Sequence, residues 1–245
     1  MKALPVTGER AIFLKEERAI VIADIHIGIE REYIMQGVNM PSQTDILLDR
    51  CKGLLLKTGA EKIIIAGDVK HVIPGGEGKQ EDGRREVGRF LKHLHEYADV
   101  EVVKGNHDGN IRSKYAKIHS SRGILLGDVA IIHGHSWPSP DITKGKVMLV
   151  GHIHPHVRIS TTVGYSYMKP CWVRGKFIQR KFMERYPEGN KKMEWIVMPA
   201  FNPLCGGMAI NKERVEGAIF SMMDMENAFV YLLDGINLGR VRNIM

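Results

Sequence analysis

Five short clusters of acidic, amide and imidazole residues could do chemistry in this chain: Asp24-Ile25-His26, Gly67-Asp68, Gly105-Asn106-His107-Asp108, His133-Gly134-His135 and Gly151-His152-Ile153-His154. Carboxylate, amide and imidazole ligands without thiolates suit divalent ions such as manganese, iron or zinc, and one carboxylate can bridge a pair of them. Two ions roughly 3.5 to 4 Å apart share a water, lower its pKa towards neutrality and aim it at phosphorus in line with the leaving oxygen. That chemistry is hydrolysis of a phosphate ester by a metal-bridging hydroxide. Singly, the clusters carry little weight. A Gly-Asp after a strand is usually just a turn, and a lone histidine is usually a satisfied surface or core group.

Their positions along the chain change that balance. Each cluster directly follows an apolar run rich in Val, Ile or Leu: Ala19 to Ala23, Lys62 to Ala66, Val100 to Lys104, Val129 to Ile132 and Val147 to Val150. Such runs read as buried strands. Helical patterns lie between the early ones, over Ser42 to Lys57 and Arg84 to Tyr97, so the core is expected to be α/β. Open α/β sheets gather ligands outside the carboxyl ends of their strands, and five such loops in one sheet would converge on one crevice. Gly67, Gly105 and Gly151 lack a Cβ and let the chain turn sharply beside the ligands. After about residue 156 the pattern shifts to short β-like pieces, Val157 to Thr162, Glu194 to Met198 and Ala228 to Leu232, consistent with a second sheet covering the first. No repeat or linker divides the chain, and residues 1–245 read as one domain. The glycine-rich stretch Val72 to Gly83 reads as a loop, a possible lid over a small substrate.

The ordered set DxH, GD, GNHD, H and GHxH resembles the calcineurin-like metallophosphoesterase superfamily. The resemblance implies an α/β fold of two packed mixed β-sheets flanked by helices, a four-layer α-β-β-α sandwich, with the active site at the carboxyl ends of the strands. It also implies that Asp24, His26, Asp68 and His154 hold a first divalent ion, and Asp68, Asn106, His133 and His152 a second. His107 would protonate or stabilise the leaving oxygen, with Asp108 as an orienter of its imidazole. Manganese is the first choice, and the same ligands accept iron, zinc, nickel or cobalt. Gly67-Asp68-Val69-Lys70-His71 is similar to the GDxxH of the SbcD-type nucleases, and Pro199-Ala200-Phe201-Asn202 with Gly206-Gly207 resembles DNA-repair-associated bacterial relatives. The nearest likeness is to the archaeal SbcD-related phosphoesterases. Those nucleases continue into a DNA-capping region for which 245 residues leave little room, so processive duplex degradation is not expected.

His71 reads either as a contact for the phosphate or as an orienter of a ligand, and His135 as a neighbour of the ligands rather than one of them. His156, after Pro155, reads as a loop residue. The formal net charge of +7 is concentrated in Lys169 to Lys192, where eight basic residues oppose Glu184 and Glu188. Arg174, Lys176, Arg180 and Lys181 there are candidates for nucleic-acid contact, while the interleaved Trp172, Phe177, Phe182 and Tyr186 are expected to face the core of a β-hairpin.

The substrate expected is nucleic acid, for DNA end-processing or nuclease-like cleavage, with a small nucleotide as the alternative. A non-catalytic scaffold is the rival from another class, opposed by a competent ligand at every metal position. Cys51, Cys171 and Cys205 are too few and too scattered for a disulfide framework. No apolar run approaches the roughly 18 to 20 residues that span a bilayer, and the first ten residues lack a signal-peptide layout, so a cytoplasmic protein without membrane contact is expected. A homodimer is the default assembly.

Overall fold

The protein is described by a computed structural model covering residues 3–71, 80–161 and 164–244, with the side chains of residues 80–82 left aside. Most of the Val72 to Gly83 stretch, and the lid reading with it, lies outside the described residues.

Alternation along the strands builds the core in layers. Strands β1 (Ala3–Pro5), β2 (Ile12–Leu14), β3 (Ala19–Ile22), β4 (Lys62–Ala66), β5 (Asp99–Val103) and β6 (Lys117–His119) form a six-stranded sheet in that order. It is antiparallel from β1 to β3 and parallel from β3 to β6. Side chains alternate between faces with period two. Ile20, Ile22, Ile63, Ile65, Val100 and Val102 therefore share one face, under Leu47, Cys51 and Leu54 of helix α2 (Thr44–Thr58) and Phe90 and Leu94 of helix α3 (Gln80–His95). Val21, Ile64 and Val103 point the other way, into an apolar layer completed by Ile131, Leu149 and Ile196. Helix α2 stops at Gly59, whose left-handed φ of 66° lets its N–H cap the Leu55 carbonyl. A shorter helix, α1 (Glu30–Met35), follows the first cluster.

The second sheet begins with β7 (Ile124–Leu126), β8 (Val129–Ile132) and β9 (Val147–Val150) and continues with β10 (Pro155–Ser160), β11 (Ser166–Lys176), β12 (Glu194–Val197) and β13 (Met208–Ala209). Its order is β13-β10-β11-β12-β9-β8-β7, with β14 (Phe229–Leu232) pairing β11 and β15 (Asn237–Arg240). Its outer face presents Ile132, Met148, Val173, Trp195 and Val197 to Phe182 of helix α4 (Gln179–Arg185) and to Ile219 and Phe220 of a 3-10 turn. Two mixed sheets, flanked by helices, thus make the expected α/β architecture. The expectation that all five cluster-bearing strands share one sheet is corrected. β3, β4 and β5 belong to the first sheet, β8 and β9 to the second. A strand buried on both faces reads as the same apolar run whichever sheet it joins, so sequence cannot assign it. Among the described residues no helix is long and apolar enough to cross a membrane.

Candidate metal centre

The five clusters leave their strands at one end of the sandwich, and the backbone there is unusual. Asp24, His26, Asp68, His152 and His154 all adopt positive φ, between 45° and 80°. Among the described non-glycine residues only Arg18 shares that conformation. A left-handed residue with a Cβ is disfavoured, by roughly 1 kcal/mol or more, and such residues concentrate at functional sites. Two glycines then admit the side chains. A Cβ at Gly105 would collide with the Asp68 carboxylate, and one at Gly67, itself at φ 87°, with the His133 ring.

The side chains close into two groups that share a carboxylate. One comprises Asp24, His26 and Asp68, the other Asp68, His133 and His152, with ligand-type atoms within 4.8 Å of one another in each. Asp68 Oδ2 lies 3.2 Å from His133 Nε2 and 3.6 Å from His26 Nε2. His154 Nε2 approaches Asp24 Oδ1 at 3.5 Å and His26 Nε2 at 3.3 Å, while Asn106 Oδ1 is 2.9 Å from His133 Nε2. Backbone groups fix these orientations. Carbonyls only accept, so His133 Nδ1 must donate to Ala66 O (3.1 Å) and His154 Nδ1 to Gly206 O (3.0 Å), which turns each Nε2 lone pair towards the cluster. The His152 N–H donates to the Asp24 carboxylate and the His107 N–H to Asp68 Oδ1.

Charge in this pocket is tightly coupled. Burial pushes the Asp24 carboxyl up, but His154, His133 and His26 outweigh it and hold the pKa below the ordinary value. Asp68 follows the same pattern, with His133 as its main partner. Burial depresses the imidazoles, taking His26 to about 3 and His152 to about 4. At His133 burial is overcome by Asp68 and Asp24, and the pKa rises to about 9. Asp24 likewise raises His154, so two buried carboxylates draw protons onto the facing imidazoles, a donor set suited to divalent cations, which would displace those protons.

Comparison with known families decides what this geometry belongs to. The calcineurin-like phosphoesterase pattern matches residues 17–186, a span that holds every cluster. The chain belongs to the calcineurin-like phosphoesterases. As such it is a metal-dependent phosphoesterase, of a family that binds divalent metals at a dinuclear site. Its fold is similar to that of the Pseudomonas putida nuclease MPE, at 22% identity and a TM-score of 0.55, over 97% of this chain and 100% of that one. Yfce, a phosphoesterase from E. coli, is more distant, at 19% identity and a TM-score of 0.36 over 58% of this chain and 73% of that one. No curated protein matches the chain in sequence.

The remaining residues of this calcineurin-like phosphoesterase take varied places. His107 is half-buried, its Nε2 4.0 Å from Asp68 Oδ2, its ring stacked on His71 at 5.6 Å, and its pKa lowered chiefly by burial. Asp108 does not serve as the imidazole orienter. Its buried carboxylate accepts the main-chain N–H groups of Gly105, Val69 and Lys70, bracing the loop instead. His71 Nδ1 meets His26 Nδ1 at 3.2 Å, and its Nε2 lies 2.8 Å from Glu32 Oε1, poorly aligned with the ring N–H, which fits the orienting reading. His135 sits beside the cluster, its ring 5.1 Å from that of His133. His156 is on β10 rather than in a loop, its Nδ1 2.9 Å from His154 O.

The basic run does not line the cluster. Lys176 pairs with Glu194 at the amino end of β12, roughly 10 Å from the carboxyl end that faces the cluster, whereas Arg174 pairs with Ile196, one residue from that end. Arg174 is tied to Glu194, Lys181 Nζ donates to Ser221 O, and Arg180 is exposed on α4. Antiparallel β11 carries these cations away from the site, and a helix rather than a hairpin follows it. Trp172, Phe182 and Tyr186 are buried and Phe177 packs against the same core, as expected of the aromatics.

Two supports had no chemical signal in sequence. Asn202, fully buried, donates its amide to Ile25 O and receives Leu204 N–H, pinning the first ligand loop. Cys205 joins His26 and His154 in a further ligand-type group, although burial pushes its thiol well above the ordinary value. The Pro199–Asn202 and Gly206-Gly207 resemblance marked this segment without giving either residue a task.

Proposed function

We propose that this phosphoesterase is a dinuclear-metal phosphodiesterase acting on nucleic acid, of the SbcD-related kind, with manganese as its preferred ion. Asp24, His26, Asp68 and His154 would hold one ion, and Asp68, Asn106, His133 and His152 the other. The observation that carries the reading is the carboxylate shared by two ligand groups, held in left-handed backbone on both sides. Bound there, a pair of divalent ions supplies an activated water and neutralises charge on the phosphoryl oxygens. The chain's own work is orientation. Ala66 O and Gly206 O fix two imidazoles, Asn202 fixes the Asp24 loop, and Asp108 fixes the loop that presents His107. His107, partly exposed beside Asp68, is placed to hold an N–H towards the oxygen that leaves.

The test is turnover by manganese-loaded protein of a small diester, bis(p-nitrophenyl) phosphate, its monoester counterpart, and single-stranded or nicked DNA. Cleavage of the diester and of DNA is expected. Turnover of the monoester alone would replace this reading with a phosphatase, and turnover of the small diester without DNA cleavage would move the substrate to small nucleotides.

A further inference from the structure

A groove of about 460 Å³ lies between helix α3 and the loops that continue from Asp68 and His107, lined by Lys70, Arg84, Asn110 and Arg112 over a floor that includes Val87 and Ile111. We propose that it binds the phosphates of a nucleic-acid strand flanking the scissile bond, so that the enzyme acts on an extended polynucleotide rather than a single nucleotide. This deepens the phosphodiesterase reading and rests on it.

Three observations support the groove. The first is unbalanced charge. Among the described residues no carboxylate lies within ion-pair distance of Lys70, Arg84 or Arg112, whereas Arg31 and Arg89 nearby are paired with Glu86 and Asp45. Three cations around one concavity favour an anionic ligand there. The second is attachment to the metal-type loops. Lys70 is two residues beyond Asp68, hence at most about 8 Å away along the backbone. Its N–H is held by Asp108, and the Ile27–Lys70 bridge fixes its strand-like course. Asn110 and Arg112 follow His107 within five residues, flanking Ile111, which is buried in the helix-side core and whose N–H bonds Asp108 O. One carboxylate therefore braces both the catalytic loop and a groove wall. The third is the mixed lining. Val87, Leu91 and Ile111 are buried core residues, so they make a rigid apolar base beneath a rim whose Lys and Arg meet the phosphates.

The experiment reads binding apart from turnover. Anisotropy of a fluorescent, hydrolysis-resistant phosphorothioate oligothymidylate is measured across a salt series with manganese-loaded protein. Wild type is compared with an Arg84→Ala/Arg112→Ala variant and with Lys191→Ala/Lys192→Ala, which removes the same charge from exposed positions away from the groove. The groove variant should bind about tenfold more weakly, with the slope of log affinity against log salt reduced by about 1 to 1.5, since each single-strand phosphate contact contributes about 0.7. The charge-matched control should follow wild type. The proposal is overturned if the oligonucleotide does not bind wild type, if the groove variant binds within about twofold of it, or if both variants weaken equally. Failure of the underlying reading appears separately, as absence of diester turnover by wild type.

Discussion

At the scale of single residues, the proposed function separates side chains that would hold cations from one, His107, that would act on substrate. His107 approaches Asp68 only at 4.0 Å and is more open to solvent than His26, His133 and His154. His107→Ala should therefore keep its metal, by elemental analysis, while losing about 10² to 10⁴ in kcat on a small diester, the range typical of general acid–base groups. Metal loss in that variant would make His107 a ligand instead. Gly105→Ala should behave oppositely. Its new methyl would collide with both the carboxylate and the main-chain nitrogen of Asp68, so metal content and turnover should fall together, with a lower melting temperature. The sequence made most of these residues legible because five clusters of imidazoles, amides and carboxylates each directly follow an apolar run, a combination that no single turn or core histidine explains. Asp108 misled because a carboxylate next to a histidine in sequence need not face it, and here its acceptors are taken by three amides.

Loops and strands form the next scale, where the ligands acquire their geometry. Asp108→Asn would turn an amide donor against one of those main-chain N–H groups. A cost of about 1 to 3 kcal/mol in chemical denaturation is expected, without loss of a ligand. Further along β5, Glu101 bridges neighbouring strands, 2.8 Å from Lys62 and 2.6 Å from His119. Partial burial raises its carboxyl pKa, but Lys62 and His119 outweigh burial and leave it below the ordinary value. A depressed carboxyl stabilises the fold above its unfolded pKa and loses that contribution as pH falls through the folded value. Glu101→Gln should therefore lower stability at neutral pH by less than about 1 kcal/mol after solvent screening, read as a lower melting temperature, and the two proteins should converge once the pH falls below the depressed Glu101 value. A gap that persists in acid would place the effect in packing. Strand positions were readable from apolar runs, yet sheet membership was not. Val129–Ile132 and Lys62–Ala66 are equally apolar and part company only through long-range pairing.

For the whole molecule, convergence from two sheets makes the metal centre a joint product of both halves of the sandwich. Asp24, His26, Asp68 and Asn106 come from the first sheet, and His133, His152 and His154 from the second. Ions held by both should couple the sheets. Manganese at a hundredfold excess over its dissociation constant should stabilise the protein by about 2.7 kcal/mol per site, seen as a higher melting temperature that chelation reverses. The basic segment from Lys169 to Lys192 shows what sequence could not convey: its local charge was evident, but the direction of β11, which carries it from the site, depends on pairing with β12. The central claim is that Asp68 joins two metal positions, and metal stoichiometry tests it most directly. Manganese-supplemented wild-type protein should hold about two ions per chain, and Asp68→Asn should hold fewer while remaining folded. Wild type retaining no stoichiometric metal, or an Asp68→Asn variant that keeps a full complement, would contradict the account.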